Sequence, residues 1–233
     1  MLRKFVLITL SLAIIAGIIF RLRVPDCGLA EIDNVEDMQT KTIVLSYALG
    51  ANNGDEDSLT ETSFKTNDSR YDVEAASIIA VVEPTGNIRQ TEGSMGQEIV
   101  FQEIIKGSEF ASVQQKGYVY QYFGFHETDG AIQFMNVLNL MYPENKYLIF
   151  LDASPLNTYM QNPVYILKSS FLGIMNINGH STKTLNKNFQ DYSFSELADY
   201  EFFSVSEKIT SVLNSIKKEV LNRYLSLTSN ESQ

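Results

Sequence analysis

The chain has 233 residues, and its 28 acidic side chains outnumber its 18 basic ones, which gives a formal net charge of −10. Such an acidic surface repels phosphate backbones and anionic lipid headgroups, so the composition argues against nucleic-acid binding. With a single cysteine the chain cannot form an intrachain disulfide and lacks the ligands of most thiolate metal sites.

Residues 5–20 form an apolar segment, FVLITLSLAIIAGIIF, which carries no charge and directly follows Arg3 and Lys4. As a helix it is about 24 Å long, short of the roughly 30 Å hydrocarbon core of a bilayer. Leu2 and Leu22 lengthen it if the flanking basic side chains reach up to the headgroups. The sequence therefore predicts an N-terminal signal anchor, a single transmembrane helix over residues 1–23.

Cleavage or lipidation of this segment is the alternative to an uncleaved anchor. Signal-peptide cleavage needs small residues shortly after the apolar segment, and the first such pattern, Gly28-Leu29-Ala30, comes late. Cys27 is a poor lipidation site because Pro25 and Asp26 stand where small residues are required. The uncleaved anchor is favoured, and a protein secreted after cleavage and a lipid-anchored protein remain as alternatives.

Basic residues flank the anchor on both sides, Arg3 and Lys4 before it and Arg21 and Arg23 after it. The charge bias that normally orients a membrane helix therefore nearly cancels. The very short N-terminal tail favours the orientation in which the remaining chain lies outside the cytoplasm. We expect a single-pass protein of the cell membrane with an extracytoplasmic C-terminal domain, and the reversed orientation is the alternative.

Residues 24–70 are acidic and polar and contain few aromatic side chains, which predicts a stalk. One apolar run inside it, residues 42–48, is typical of a strand that docks on the main domain. The main domain is expected over residues 71–233.

Short apolar or alternating runs follow one another through the main domain without helical patterns between them, which favours an antiparallel barrel or sandwich. A turn at Glu83-Pro84-Thr85-Gly86 is expected to end the first strand. Residues 131–142, with Gln or Asn at every third position, indicate a short helix across one end of the barrel. The predicted strands are residues 77–82, 98–105, 117–123, 146–151, 164–167 and 171–177.

The C-terminal segment predicts an amphipathic helix over about residues 204–227, and its apolar stripe is expected to pack on the barrel. Ser204 and Glu207 have the spacing of a capping box at its start. A helix that binds a partner is the alternative. The stripe consists of Val205, Ile209, Val212, Ile216, Val220 and Tyr224.

Three runs stand out by their order along the chain: Ser77-Ile78-Ile79-Ala80-Val81-Val82, then Val100-Phe101-Gln102-Glu103-Ile104-Ile105-Lys106-Gly107, then Lys146-Tyr147-Leu148-Ile149-Phe150-Leu151. This order resembles netrin-like domains and tissue inhibitors of metalloproteinases, and bacterial surface proteins with similar barrels. The resemblance spans roughly residues 77–152. It implies a mainly β (α+β) fold, an OB-like antiparallel β-barrel with a C-terminal amphipathic helix, here preceded by one N-terminal transmembrane helix.

The resemblance carries over a fold and no activity. The inhibitors of that family bind the metal of a protease through an N-terminal cysteine held by disulfides. The only cysteine here is Cys27, which stands beside the predicted anchor. No inhibitory residue of the family has a counterpart in this chain.

Residues for catalysis are scarce. His126-Glu127-x-Asp129 brings metal-capable side chains together, but Gly124 and Gly130 on either side indicate a solvated loop. The chain contains no Gly-x-Ser-x-Gly elbow, no phosphate-binding loop and no His-Glu-x-x-His pair. We predict no catalytic residue, metal or cofactor; the alternative is an envelope hydrolase that uses His126 and nearby carboxylates.

Alternating tyrosines make the best candidate for a binding site. Tyr118, Tyr120 and Tyr122 would share one face of a strand, and Phe125 and His126 follow just beyond. OB-type barrels bind ligands across such a face, whereas tyrosines that pair across strands and cover the core are the structural alternative. We predict non-catalytic binding of a surface protein or a glycan through these five residues, and no nucleic acid.

Overall fold

The computed structural model describes residues 33–40, 42–45, 73–91, 94–121, 131–134, 138–154, 162–169, 172–179, 181–185, 192–204 and 206–230. The predicted anchor over residues 1–23 and most of the predicted stalk lie outside these ranges. Within them, no helix is both long enough and apolar enough to cross a membrane.

The described chain is mostly β-structure. A 3₁₀ helix, Val35–Thr40, comes first. Two α-helices are described, α1 (Phe194–Leu197) and α2 (Glu207–Asn230). The strands are β1 (Thr42–Leu45), β2 (Ile78–Thr91), β3 (Ser94–Lys106), β4 (Lys116–Gln121), β5 (Ala131–Phe134), β6 (Tyr147–Ala153), β7 (Val164–Leu167), β8 (Ile174–Asn176), β9 (Ser181–Thr184), β10 (Tyr192–Ser193) and β11 (Tyr200–Ser204).

Five of these strands close into a barrel in the order β2-β3-β4-β7-β6, and β6 returns to pair with β2. The pairs are antiparallel except β4 with β7, which run parallel. Strand β8 continues along the edge of β6 that β7 occupies further on. The predicted barrel is therefore confirmed, with one parallel pair that the sequence pattern did not indicate.

The predicted turn at residues 83–86 is wrong, because β2 runs through it. Its pairing with β3 shifts register between Pro84 and Ile88, and Gly86 has a φ of 92°. Such an irregularity bends a strand and tightens its twist without ending it. The bend lets the first half of β2 pair with β6 as well as with β3, which is how the barrel closes.

Alternation along the strands decides which side chains fill the barrel. Ile99, Phe101 and Val119 are fully buried. Tyr165 of β7 is buried as well, and its ring meets that of Phe101 edge-on, with 5.2 Å between centroids. The residues between these positions on β3, β4 and β7 therefore point outward, away from the core.

The helix α2 confirms the predicted C-terminal helix and its packing on the barrel. Ile209 and Leu213 are fully buried in the same apolar cluster as the barrel strands. Tyr224 packs edge-on against Phe150 of β6, with 5.5 Å between ring centroids. The apolar stripe of the helix is therefore part of the domain core.

The predicted capping box at Ser204 and Glu207 is wrong, since Ser204 still belongs to β11 and the helix begins at Glu207. The hydroxyl of Ser204 accepts a hydrogen bond from the amide of Ser206 at 3.2 Å. The hydroxyl of Ser206 in turn accepts one from the amide of Ile209 at 3.4 Å. Ser206 is therefore the N-cap.

The described residues also form a second sheet, which has three strands in the order β10-β1-β5. The strand β1, from the predicted stalk, pairs antiparallel with β10 and parallel with β5. The expected strand within residues 42–48 is thus present over Thr42–Leu45. The short helix expected over residues 131–142 is wrong for the described positions, because Ala131–Phe134 is strand β5 and Leu138 bridges to Phe202.

Candidate ligand-binding surface

Tyr118 and Tyr120 lie together on the outer face of the barrel. Val119 between them is fully buried in the core, whereas both tyrosines are half-buried. The other three residues of the predicted site, Tyr122, Phe125 and His126, lie outside the described residues. The structure therefore brings together two of the five predicted side chains.

Strand pairing places Tyr120 in a row that crosses all five barrel strands. In this row Arg89 of β2 pairs with Gly96 of β3, and Gly96 pairs with Tyr120 of β4. Tyr120 pairs with Ile166 of β7, and Ile166 pairs with Asp152 of β6. Ile166 is 45% exposed, unusually open for a large apolar side chain. We call the surface formed by Arg89, Gly96, Tyr118, Tyr120 and Ile166 the outer platform.

The ring of Tyr120 packs close to the backbone of β3 because position 96 has no side chain. A Cβ built on Gly96 would meet three atoms of that ring at 2.7–3.0 Å. Tyr120 remains half-buried, so part of the side chain is open to solvent. Burial raises the pKa of the Tyr120 hydroxyl above its ordinary value, although the positive charge of Arg89 acts in the opposite direction.

Arg89 forms the charged end of the outer platform. Its guanidinium carbon lies 5.9 Å from the centroid of the Tyr118 ring, a cation–π distance. The side chain is exposed, and no carboxylate in the described part of the chain forms an ion pair with it. The platform thus combines an aromatic surface with a guanidinium group that has hydrogen-bond donors to spare.

A buried carboxylate, that of Glu98, lies beside the platform and is held by hydrogen bonds from neighbouring side chains. Glu98 points outward from β3 opposite Tyr118, yet it is only 7% exposed. Its Oε2 accepts hydrogen bonds from Thr85 Oγ1 at 2.8 Å, Asn87 Nδ2 at 3.0 Å and Lys116 Nζ at 3.2 Å. Burial alone raises the pKa of Glu98, but these bonds and the charge of Lys116 outweigh it and lower the pKa.

Asp152, the carboxylate at the far end of the row, is likewise held by hydrogen bonds and an ion pair. Asp152 accepts hydrogen bonds from the amide and the hydroxyl of Ser77, both at 3.0 Å, and pairs with Lys168 at 3.2 Å. Burial raises the pKa of Asp152, but these partners together lower it. Neither carboxylate has the raised pKa that a general acid needs at neutral pH.

A second polar cluster lies beneath α2, away from the outer platform. Glu201 of β11 accepts a hydrogen bond from the amide of Asn176 at 2.6 Å and pairs with Lys217 of α2. Both members of the pair are buried, at 6% and 7% exposure. Burial raises the pKa of Glu201 to about 7, against the opposing effect of Lys217. This pair joins the helix to the sheet.

Two tyrosines border a small cavity next to this ion pair. The cavity encloses about 10 Å³, room for roughly one water molecule. The hydroxyl of Tyr147 accepts a hydrogen bond from the amide of Tyr142 at 2.8 Å. The buried hydroxyl of Tyr142 has no hydrogen-bond partner in the described structure, and burial raises its pKa well above the ordinary value. The cavity is too small for an organic ligand.

Groups that would support catalysis are not assembled in the described part of the chain. No cluster of three or more His, Cys, Asp or Glu side chains there could hold a metal ion. His126 and His180 lie outside the described residues, so the described geometry offers no support for the hydrolase alternative. The chemistry that the described surface offers is stacking, apolar contact and hydrogen bonding to an anion.

Sequence reasoning missed Arg89, Gly96 and Ile166. The alternation around Tyr118 and Tyr120 was legible, because each strand position has a fixed face. Arg89 follows residues 83–86, where a turn was wrongly expected to end the strand. Ile166 lies on β7, and the parallel pairing of β7 with β4 joins segments that are distant in the sequence. For Arg89 the local signal was the apolar Ile88 followed by a charged residue, which is typical of a strand with one buried face.

Comparison of the chain with protein-family models and with curated proteins found no match.

Proposed function

We propose that this protein is a non-catalytic glycan-binding protein of the cell surface, held by its N-terminal helix and binding through the outer platform. The observation that carries the proposal is the half-buried Tyr120 ring, which packs closely over Gly96 on the outer face of the barrel. An aromatic face is electron-rich, so it attracts the slightly positive C–H groups on the flat side of a sugar ring. The exposed Ile166 beside it extends the contact surface.

The strand order supports this assignment. When the five barrel strands are numbered in chain order, their order around the barrel is 1-2-3-5-4, strand 4 closes onto strand 1, and strands 3 and 5 are parallel. This is the arrangement of the OB fold that the resemblance to netrin-like domains implies. In that fold the outer face of strands 2 and 3 binds oligonucleotides and oligosaccharides. Here those strands are β3 and β4, and the net charge of −10 disfavours the nucleic acid.

A titration of the full-length chain, purified in detergent, tests the binding proposal. A panel of neutral and acidic oligosaccharides would be followed by calorimetry for the native chain, Tyr120→Ala and Phe110→Ala. Phe110 is a matched control, an aromatic residue that is 47% exposed but lies in the connection between β3 and β4. We expect Tyr120→Ala to weaken binding at least about tenfold, since central aromatic anchors dominate such contacts. Equal affinities for both variants, or no binding by the native chain, would contradict the proposal.

Protease treatment of intact cells tests the proposed location. Cells would express the chain with a C-terminal tag, and the mass of the product would be read before and after digestion. Loss of the tag from a full-length, membrane-bound product is expected for an outward-facing domain. A tag that is protected until the cells are opened would place the domain in the cytoplasm. A product shortened at its N-terminus before digestion would indicate cleavage and secretion.

A further inference from the structure

We infer that the glycan carries a carboxylate, and that Arg89 is the residue that selects it. This inference rests on the glycan-binding function proposed above and adds the chemical class of the ligand. It starts from the ion pairs of the barrel surface. Lys116 and Lys168, the two lysines near the platform, are paired with Glu98 and Asp152 at 3.2 Å.

Arg89 differs from both lysines. It is exposed, and among the described residues no carboxylate pairs with it. Its guanidinium carbon lies 5.9 Å from the centroid of the Tyr118 ring, which is a cation–π distance. With no carboxylate partner among the described residues, the N–H groups of the guanidinium can meet the two oxygens of a ligand carboxylate.

The position of Arg89 relative to Tyr120 sets where the carboxylate would lie. The two residues are separated by one strand, and both pair with Gly96, so they lie about 10 Å apart across the sheet. A sugar ring stacked on Tyr120 therefore presents a neighbouring unit to the guanidinium. From Arg89 to Ile166 the row crosses three strand spacings, about 14 Å. This length fits a short acidic oligosaccharide lying across the strands.

Because the chain is acidic, an acidic glycan has to be selected by direct contact and not by long-range attraction. A chain of net charge −10 repels acidic polymers at long range, but at physiological salt this repulsion is screened beyond about 8 Å. An acidic glycan therefore binds only where a cation without a carboxylate partner meets it directly. The carboxylate of Glu98 pairs with Lys116 and not with Arg89, and its Oε2 accepts three hydrogen bonds.

The test compares each acidic oligosaccharide with its carboxyl-reduced form at 0.15 M salt. Suitable probes are oligogalacturonides and hyaluronan oligosaccharides, titrated against the full-length chain in detergent. We expect the native chain to bind the acidic form with about tenfold or more higher affinity than the reduced form, because a hydrogen bond to a charged group usually contributes that much binding free energy. Arg89→Gln should abolish this preference, so that the two forms bind with equal affinity, and Arg89→Lys should keep only part of it.

Lys218→Gln is the control for net charge, because Lys218 is an exposed cation on α2. It should leave the preference unchanged. Equal binding of the two forms by the native chain, or a preference that survives Arg89→Gln, would overturn the inference and leave the glycan-binding function standing. Binding of neither form would overturn both proposals. Binding of a carboxyl-terminal peptide in place of any glycan would assign the same surface to a protein partner and overturn both as well.

Discussion

Lys217 and Arg89 are both cations that touch other side chains, but they lie in opposite surroundings. Lys217 is 7% exposed and paired with Glu201 beneath α2, whereas Arg89 is exposed, lies 5.9 Å from the centroid of the Tyr118 ring and has no carboxylate partner in the described chain. A buried charge is costly unless matched, so the first pair governs whether the helix stays docked. An exposed charge costs little, so the second is free to act on a ligand.

Replacing Lys217 with methionine should give the largest loss of stability. The substitution leaves the Glu201 carboxylate buried without its partner, which costs about 3–5 kcal/mol. Urea unfolding of the variant measures the loss, and Lys218→Met is the matched control on the exposed face of α2, where less than about 0.5 kcal/mol is expected. A loss as small as that of the control would mean that the pair does not hold α2.

The pH dependence of stability should reveal Glu201 in the unaltered chain. Burial raises its pKa to about 7 in the folded state, from 4.5 when unfolded, so the folded chain binds more protons between these values. The free energy of unfolding should therefore fall as the pH rises from 5 to 8, by about 1–3 kcal/mol. Glu201→Gln should remove this slope. An identical slope in Glu201→Gln would assign it to other groups.

Gly96→Ala should disturb the outer platform from beneath. The new Cβ would lie 2.7–3.0 Å from the Tyr120 ring, and lifting the ring should cost about 1–2 kcal/mol of stability and weaken glycan binding. Repeating the change in a Tyr120→Ala background separates the clash from other effects, because the cost should disappear there. A cost that persists would mean that the ring does not lie on Gly96.

The two tyrosines beside the cavity should respond differently to loss of their hydroxyls. Tyr147→Phe removes the acceptor of the Tyr142 amide and should cost about 1–2 kcal/mol. Tyr142→Phe should be close to neutral, because its buried hydroxyl has no partner in the described structure. Thermal unfolding of both variants checks this order, and a larger loss for Tyr142→Phe would show that its hydroxyl is bonded.

Arg89→Gln should have the smallest effect on stability, about 0.5 kcal/mol, since exposed cation–π contacts contribute little. It should nevertheless raise the pKa of Tyr120 further, because the charge of Arg89 now lowers it. Carbon NMR of a tyrosine-labelled chain during a pH titration measures this shift. An unchanged Tyr120 pKa would separate the guanidinium from the platform.

The core strands were predictable because their residues are apolar over a whole run. Residues 77–82 and 146–151 are such runs, and they became paired barrel strands, β2 and β6. The short strands β9, β10 and β11 were not foreseen, since two to five partly polar residues give no periodic signal. Strand β10 pairs with β1, which is distant in the chain, whereas β9 and β11 pair with each other.

The candidate site divides in the same way. Tyr118 and Tyr120 followed from alternation within one strand, which is local information. Arg89 and Ile166 joined them only through pairings between strands, which the sequence pattern does not express. Glu98 is the reverse case, because an outward-facing carboxylate would be expected in solvent and instead lies buried under three hydrogen bonds.

The pairings of β6 also determine when the domain can fold. This strand joins β2 on one side and both β7 and β8 on the other. Because β7 links it to β4, the barrel stays open until the segment near residue 167 has been synthesised. The three-stranded sheet is completed later still, because β10, one of the two partners of β1, lies near the end of the chain. Pairings over such separations form slowly. A barrel that closes this late leaves the chain unfolded during most of its synthesis, which is compatible with the export that the proposed surface location needs.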